Sequence, residues 1–272
     1  MDQEAVQTKL EALYADWKEA LRCTFTREEA NCLGAPLLLH VTKEYCLAKR
    51  RVLMLGQETY GWQWDSKLQN KADHPTWTYP HPWEFRDIYS CSDFQTNPDS
   101  IEALCWGYKE FKFGAQQREL GQTPFWQAFK EVQKWSDASM MWGNVVRMDY
   151  SPPEGKNPSL SIRHAPQNLR ESVLSQQAGL VASEFATLDP HICLFFSGPY
   201  YDGFIESIFP GCKFEACSEA PVRELARLVH PTLPSASFRT YHPKFLRHGS
   251  RWHYIKAMQT LAYAAPPLLH QG

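Results

Sequence analysis

Four short segments of the chain combine residue types that can do chemistry. Gly56-Gln57-Glu58-Thr59-Tyr60-Gly61-Trp62 opens on a residue that lets the backbone approach a ligand closely. The carboxylate that follows can orient a water or stabilise a developing cation, or else cap a following helix. Gly143-Asn144-Val145-Val146-Arg147 carries an amide with both a donor and an acceptor, suited to the edge of a pyrimidine and equally to a turn. Ser197-Gly198-Pro199-Tyr200-Tyr201 is a run of loop formers whose Ser197 hydroxyl can bond a phosphate. The densest basic cluster is Tyr241-His242-Pro243-Lys244-Phe245-Leu246-Arg247-His248-Gly249, with Arg251 and His253 after it. Lys244, Arg247 and Arg251 suit phosphate contacts, or are ordinary surface charges on a helix start. Leu246 reads as an exposed apolar wedge of the kind that enters base stacks. His242 on its own reads as a structural histidine.

The elements that must position these segments are legible as apolar runs. Val52–Leu55, Met140–Trp142, His191–Phe196 and Ala236–Tyr241 read as buried strands. Helical patterns over 101–112, 124–136, 168–187 and 218–229 lie between them. Strands alternating with helices predict an α/β fold with a mostly parallel sheet. Ligands in such folds sit at the carboxyl ends of the strands. Each of the four chemical segments follows one of the four runs. The first 22 residues supply an amphipathic helix, with Val6, Leu10, Leu13, Trp17 and Leu21 at helical spacing. Residues 62–98 form a Trp- and Pro-rich insertion, too Pro-rich for a regular helix. It is either a functional loop or an aromatic-packed surface loop.

Composition sets the outer limits. The 272 residues carry a formal net charge of −2, with 43% hydrophobic and 21% charged residues. These values exclude a disordered chain, a coiled coil and a protein that holds nucleic acid by bulk positive charge. Aromatic residues reach 14%, enough for a large core with some left over as stacking platforms. The eight cysteines include no C-x-x-C pair, so reduced thiols are expected rather than a metal or iron–sulfur site. Met1-Asp2-Gln3-Glu4 lacks the apolar stretch of a secretory leader, and no run is long enough to span a membrane. A single cytoplasmic domain over 1–272, monomeric and without membrane contact, is expected.

Taken together, the motifs resemble those of the uracil-DNA glycosylase superfamily. The first motif of its best-known branch, Gly-Gln-Asp-Pro-Tyr, is similar to Gly56-Gln57-Glu58-Thr59-Tyr60. The last, His-Pro-Ser-Pro-Leu, is similar to His242-Pro243-Lys244-Phe245-Leu246. The base-reading Asn at the end of the second strand matches Asn144. The resemblance rests on about a dozen residues in family order, over a strand framework from about residue 50 to 250. It implies a three-layer α/β/α sandwich around a parallel four-stranded sheet. It also implies a target nucleotide flipped from the stack into a pocket. Asn144 would then read the base edge, and the Gln57 backbone would bind a carbonyl oxygen of the base. Glu58 would position water and stabilise the oxocarbenium-like sugar. His242 would donate to the departing base. Leu246 would fill the gap in the stack. Trp77, or another aromatic of the insertion, would stack on the base. No cofactor or metal is implied.

The departures bear on the target. Glu58 stands where the family has Asp, Thr59 where it has Pro, and Lys244-Phe245 where it has Ser-Pro. A longer carboxylate shifts the water-positioning atoms by about one bond, a displacement that can cost about 100-fold unless the pocket is rebuilt. Tyr60 occupies the place of the family tyrosine that blocks bulky C5 groups, which favours uracil. The aromatic insertion favours a bulkier base, such as the glucosylated hydroxymethylcytosine of phage DNA. That target would place the protein in anti-phage defence rather than base excision repair. No obvious Lys nucleophile supports a lyase step, so a monofunctional glycosylase is expected. Two rivals stand beside it: a non-catalytic binder of damaged or single-stranded DNA, and a hydrolase of free nucleosides.

Overall fold

A computed structural model describes residues 1–59, 61–62, 86–111, 122–152 and 159–264 of the chain. In chain order the helices and strands are α1 (Gln3–Thr24), α2 (Arg27–Asn31), α3 (Lys43–Leu47), β1 (Arg50–Glu58), α4 (Cys91–Thr96), α5 (Ser100–Glu110), α6 (Pro124–Gln133), β2 (Ala138–Val146), α7 (Gln167–Leu188), β3 (Ile192–Phe195), α8 (Asp202–Ile208), β4 (Lys213–Glu215), β5 (Leu225–Val229), β6 (Ala236–Thr240), α9 (Pro243–His248) and α10 (His253–Ala264). Single 3-10 turns cover Ile162–His164 and Pro199–Tyr201.

The fold is α/β, with the strands in one mixed sheet of order β2-β1-β3-β6-β5-β4. The four predicted strands are its parallel part, β2-β1-β3-β6. The expectation of a four-stranded, mostly parallel sheet needs correction, because β5 and β4 extend it by antiparallel pairing. The predicted helix over 218–229 is where the expectation fails. Pro221 falls inside this span and Pro231 just beyond it, and each disfavours helical backbone in the residue before it. The amides of Glu224 and Leu225 close a turn on the Pro221 carbonyl, and Leu225–Val229 then pairs along β6. Apolar residues at 225 and 228 fit a helical spacing, but the edge of β6 offers a ladder that decides the matter. The 62–98 insertion also holds a helix, α4, started by a capping box between Ser90 and Asp93.

The α1 helix begins at an Asp2 cap, whose carboxylate accepts from the Ala5 amide at 2.8 Å. It buries Val6, Leu10, Tyr14, Trp17 and Leu21. Tyr14 takes the place expected of Leu13, which is only partly buried. The α1 helix packs on α7 and α7 on α8, while α6 packs on α9 and α10. Among the described residues, buried apolar side chains from Val6 to Ala262 join one core cluster. The chain leaves β1 for β2 on one side and then returns to β3 on the other. The carboxyl end of β1 is therefore the topological switch point, where open α/β sheets hold their ligands. No helix among the described residues is long and apolar enough to cross a membrane.

Candidate active site at the strand ends

Strand register brings three of the four sequence segments to one place. Gly56 of β1 lies opposite Asn144 of β2, and Leu55 opposite Phe195 of β3. The Phe196 amide donates to the Leu55 carbonyl at 2.7 Å, so Ser197 follows beside Gly56. Gly198, with φ of +77°, turns its amide onto the Thr240 carbonyl at 2.9 Å, which ties the end of β3 to the end of β6. The Gln57 amide group donates to the Ser197 carbonyl at 2.7 Å and fixes the third strand against the first.

Gly56 is demanded by space. A Cβ there would lie 2.5 Å from the Asn144 Oδ1 and 3.1 Å from the Phe125 ring. Asn144 is buried, so its amide and the Phe125 ring both close on the bare backbone at 56. The His242 ring lies nearly parallel to Phe125, at 18° and 6.4 Å between centroids. Gly56, Phe125, Asn144 and His242 thus adjoin one another at the strand ends, an amide close to two nearly parallel flat rings.

His242 also caps α9, its Nδ1 accepting from the Lys244 amide at 3.3 Å. Burial, helped by the nearby Lys244 charge, lowers its pKa to about 4. The ring is therefore neutral at neutral pH, and with Nδ1 accepting, its proton sits on Nε2. This histidine is at once structural and a neutral N–H donor.

Glu58 is held from three sides. Its Oε1 accepts from Ser161 Oγ at 2.6 Å and from the Tyr201 hydroxyl, and its Oε2 accepts from the Ile162 amide at 2.7 Å. The carboxylate therefore caps the 3-10 turn at Ile162–His164, which lies far along the chain rather than in the following helix. Oε1 has both lone pairs engaged, while Oε2 keeps one for a water. Burial, and then the Glu58 charge, push the Tyr201 phenol up, so it stays a donor. Behind this group, Asp149 accepts from the Gly61 amide at 2.7 Å and from Ser159. Burial raises its pKa, and the charge of Glu58 adds to the rise.

Other predicted positions fall differently. Leu246 is fully buried and belongs to the core, so it is no exposed wedge; Phe245 beside it is 60% exposed. The helical turn begun at His242 explains the exchange, since Leu246 lies one full turn on and faces inward. Ser197 is fully buried, and its hydroxyl is not directed to solvent. Arg251 is paired with Glu224 at 2.7 and 3.2 Å, and Tyr254 donates to the same carboxylate. Lys244 and Arg247 are exposed, Arg247 with a long contact to Gln127 at 3.4 Å. Tyr60 and Trp77 lie outside the described residues. Trp62, from the aromatic segment, packs edge-on against Phe111 and Trp142. Phe125, Ser161 and Tyr201 escaped sequence reasoning. Phe125 opens a predicted helix and Tyr201 ends a predicted loop, but nothing local marks either as facing the strand ends. Among the described residues no cluster of His, Cys, Asp and Glu could hold a metal ion.

Comparison with known proteins adds no assignment: no family model matches the chain, and no curated protein matches it significantly.

Proposed function

We propose that the protein is a monofunctional DNA glycosylase, similar in mechanism to the uracil-DNA glycosylases, that hydrolyses the N-glycosidic bond of a flipped, non-canonical pyrimidine. The observation that carries this reading is that Asn144, Phe125, neutral His242 and Glu58 all stand at the ends of the parallel strands of a mixed sheet, at its switch point. An amide, a flat ring and an N–H donor suit a base. A carboxylate beyond them suits the sugar.

In this reading the base stacks on Phe125, and the Asn144 amide pairs with its edge. The Gln57 backbone holds a carbonyl oxygen. The bond from the sugar C1′ to the base breaks, and its electron pair leaves with the base. His242 Nε2–H stabilises the charge that develops there. The carboxylate of Glu58 faces the oxocarbenium-like sugar. A water held by the remaining lone pair of Oε2 bonds to C1′ and passes its proton to the carboxylate. The three donors on Glu58 fix the longer side chain, which is how a glutamate could serve in place of an aspartate. The flanking sheet and helices would form the three-layer sandwich of that family around the parallel strands. The chain would act on DNA as a cytoplasmic monomer, and the exposed Phe245 would take the gap-filling role expected of Leu246.

Base release read by mass spectrometry tests the proposal. The substrates are uracil-containing DNA, unmodified DNA, and phage DNA rich in glucosylated hydroxymethylcytosine. Free base from one modified substrate, reduced at least about 100-fold in Glu58→Gln, is the expected result. It also tells uracil from a bulkier pyrimidine. Strand nicking without alkali would contradict the monofunctional assignment. No free base from any substrate, with DNA still bound, would favour a non-catalytic binder. The specific observation on that side is that three of Glu58's four acceptor positions are already taken by the protein itself.

A further inference from the structure

An aromatic–basic cluster stands beside Glu58 and plays no part in the chemistry described above. Tyr200 is 62% exposed, in the 3-10 turn that follows β3, next to the Tyr201 that donates to Glu58. The Arg223 guanidinium lies 5.3 Å from the Tyr200 ring centroid and donates to its hydroxyl at 3.1 Å. The Arg163 guanidinium lies 6.0 Å from the same ring. Arg163 belongs to the turn that Glu58 caps, immediately after Ile162.

Two exposed cations converge on one ring, and the nearby carboxylates are committed elsewhere. Asp202 accepts from Arg239 at 2.9 and 3.0 Å, Glu224 from Arg251 and Tyr254, and Glu58 from Ser161, Ile162 and Tyr201. Among the described residues neither Arg163 nor Arg223 forms a salt bridge. Like charges brought together in solvent add little to a fold. Guanidinium forks held in place by an aromatic ring suit the oxygens of a phosphodiester.

We infer that Arg163 and Arg223, oriented by Tyr200, form a phosphate-gripping subsite for the nucleic-acid strand that delivers its nucleotide to the residues at the strand ends. The inference rests on the glycosylase reading for those residues and sharpens it: the substrate is a polymeric strand rather than a free nucleoside. Tyr200 is a positioning residue. Its ring sets the direction of two guanidiniums, and its hydroxyl accepts from one of them.

The test is a titration of fluorescein-labelled uracil-containing oligonucleotides, single-stranded and duplex, by anisotropy at a series of salt concentrations. Each neutralised phosphate contributes about 0.7 (single strand) to 0.9 (duplex) to the slope of log K against log salt. The double variant Arg163→Gln/Arg223→Gln is expected to bind about tenfold or more weakly at low salt, with a slope shallower by about 1.4 to 1.8. Tyr200→Ala is expected to weaken binding, because it releases both guanidiniums. Tyr200→Phe, which keeps the ring, is expected to fall between Tyr200→Ala and wild type. The double Lys variant is expected to keep the slope, because it keeps the charge. All three positions changed carry exposed side chains, and thermal melts check that each variant is folded. Wild-type affinity and slope in the double Gln variant would overturn the subsite while leaving base release intact. A lost slope in that variant, with no base freed by the wild type, would uphold the subsite and sink the glycosylase reading. A wild type that binds no oligonucleotide at all would overturn both.

Discussion

Leu246 and Phe245 are neighbours with opposite fates. Leu246 is fully buried and Phe245 is 60% exposed. Leu246→Ala empties a core position, so it is expected to cost about 2–5 kcal/mol and lower Tm by several degrees. Phe245→Ala is expected to leave Tm within about 2 °C and to weaken DNA binding, since an exposed ring adds contact rather than core packing. Thermal melts and binding titrations on both variants check this pair. The reverse pattern, with Leu246→Ala harmless to folding, would contradict the placement of α9. Glu58 obeys a related logic. In Glu58→Gln the carbonyl oxygen can keep the Ile162 amide only if the NH2 faces Ser161 and Tyr201, whose hydroxyls must then turn round to accept and lose their bonds to a charged oxygen. A loss of about 1–3 kcal/mol is expected on top of any loss of activity. Urea melts of this variant should therefore accompany its base-release assay.

At the scale of elements, a buried ion pair fastens the second strand's exit to the helices behind it. Arg147, just past β2, and Glu184 of α7 are both fully buried and in direct contact. The Tyr14 hydroxyl of α1 donates to Glu184 at 3.0 Å and accepts from the Leu39 amide at 2.9 Å. The Arg147 amide donates to Gln177 of α7 at 2.9 Å. Burial pushes the Glu184 carboxyl up while the Arg147 charge pulls it down. Removing one partner strands the other's charge. Glu184→Ala is expected to lose about 3–5 kcal/mol in urea unfolding. The apolar double change Arg147→Met/Glu184→Leu is expected to recover much of that loss, because no unpaired charge remains. Equal losses in the two variants would mean that the pair is stabilising in itself. Since Arg147 lies three residues beyond Asn144, a loosened pair is also expected to loosen the Asn144 amide.

Over the whole molecule, two half-buried imidazoles set a response to acid. His40 and His242 each have a pKa lowered to about 4, in both cases mainly by burial and then by a nearby Lys charge, Lys109 and Lys244 respectively. In the unfolded chain both titrate near about 6.5. The unfolded state therefore takes up protons first as pH falls. Their contribution to stability is whole above about 6.5 and is lost as pH drops towards about 4. Burial raises the Asp149 and Asp202 carboxyls, which act in the opposite sense at the acid end. The discriminating measurement is thus a comparison of two proteins. Between pH 6.5 and 4.5, Tm of His40→Gln is expected to fall less than that of wild type, by a few degrees. This corresponds to about 1–2 kcal/mol after allowance for partial exposure. Parallel curves would show that His40 is not held neutral in the fold.

Much of this architecture is a property of local residue order. Short apolar runs, two of them nearly continuous, read as buried strands, and their alternation with helical patterns points to a parallel arrangement, so β1, β2, β3 and β6 and the candidate segments that follow them were legible in the chain itself. Gly56, Asn144 and His242 could be singled out because their types and their places after strands are local facts. Tertiary structure alone decided what depends on a partner distant in sequence. Leu225–Val229 became a strand because the edge of β6 was open to it. Leu246 turned inward because the helix capped by His242 packs on α6. Arg251 was claimed by Glu224. Phe125, Ser161 and Tyr201 reached the strand ends through crossovers that no short window contains. Periodicity specifies which face of an element is apolar, but it is silent on which distant donor or ring meets that face. Hydrogen bonds and packing across the sheet settle that choice, and with it the surroundings of every candidate catalytic group.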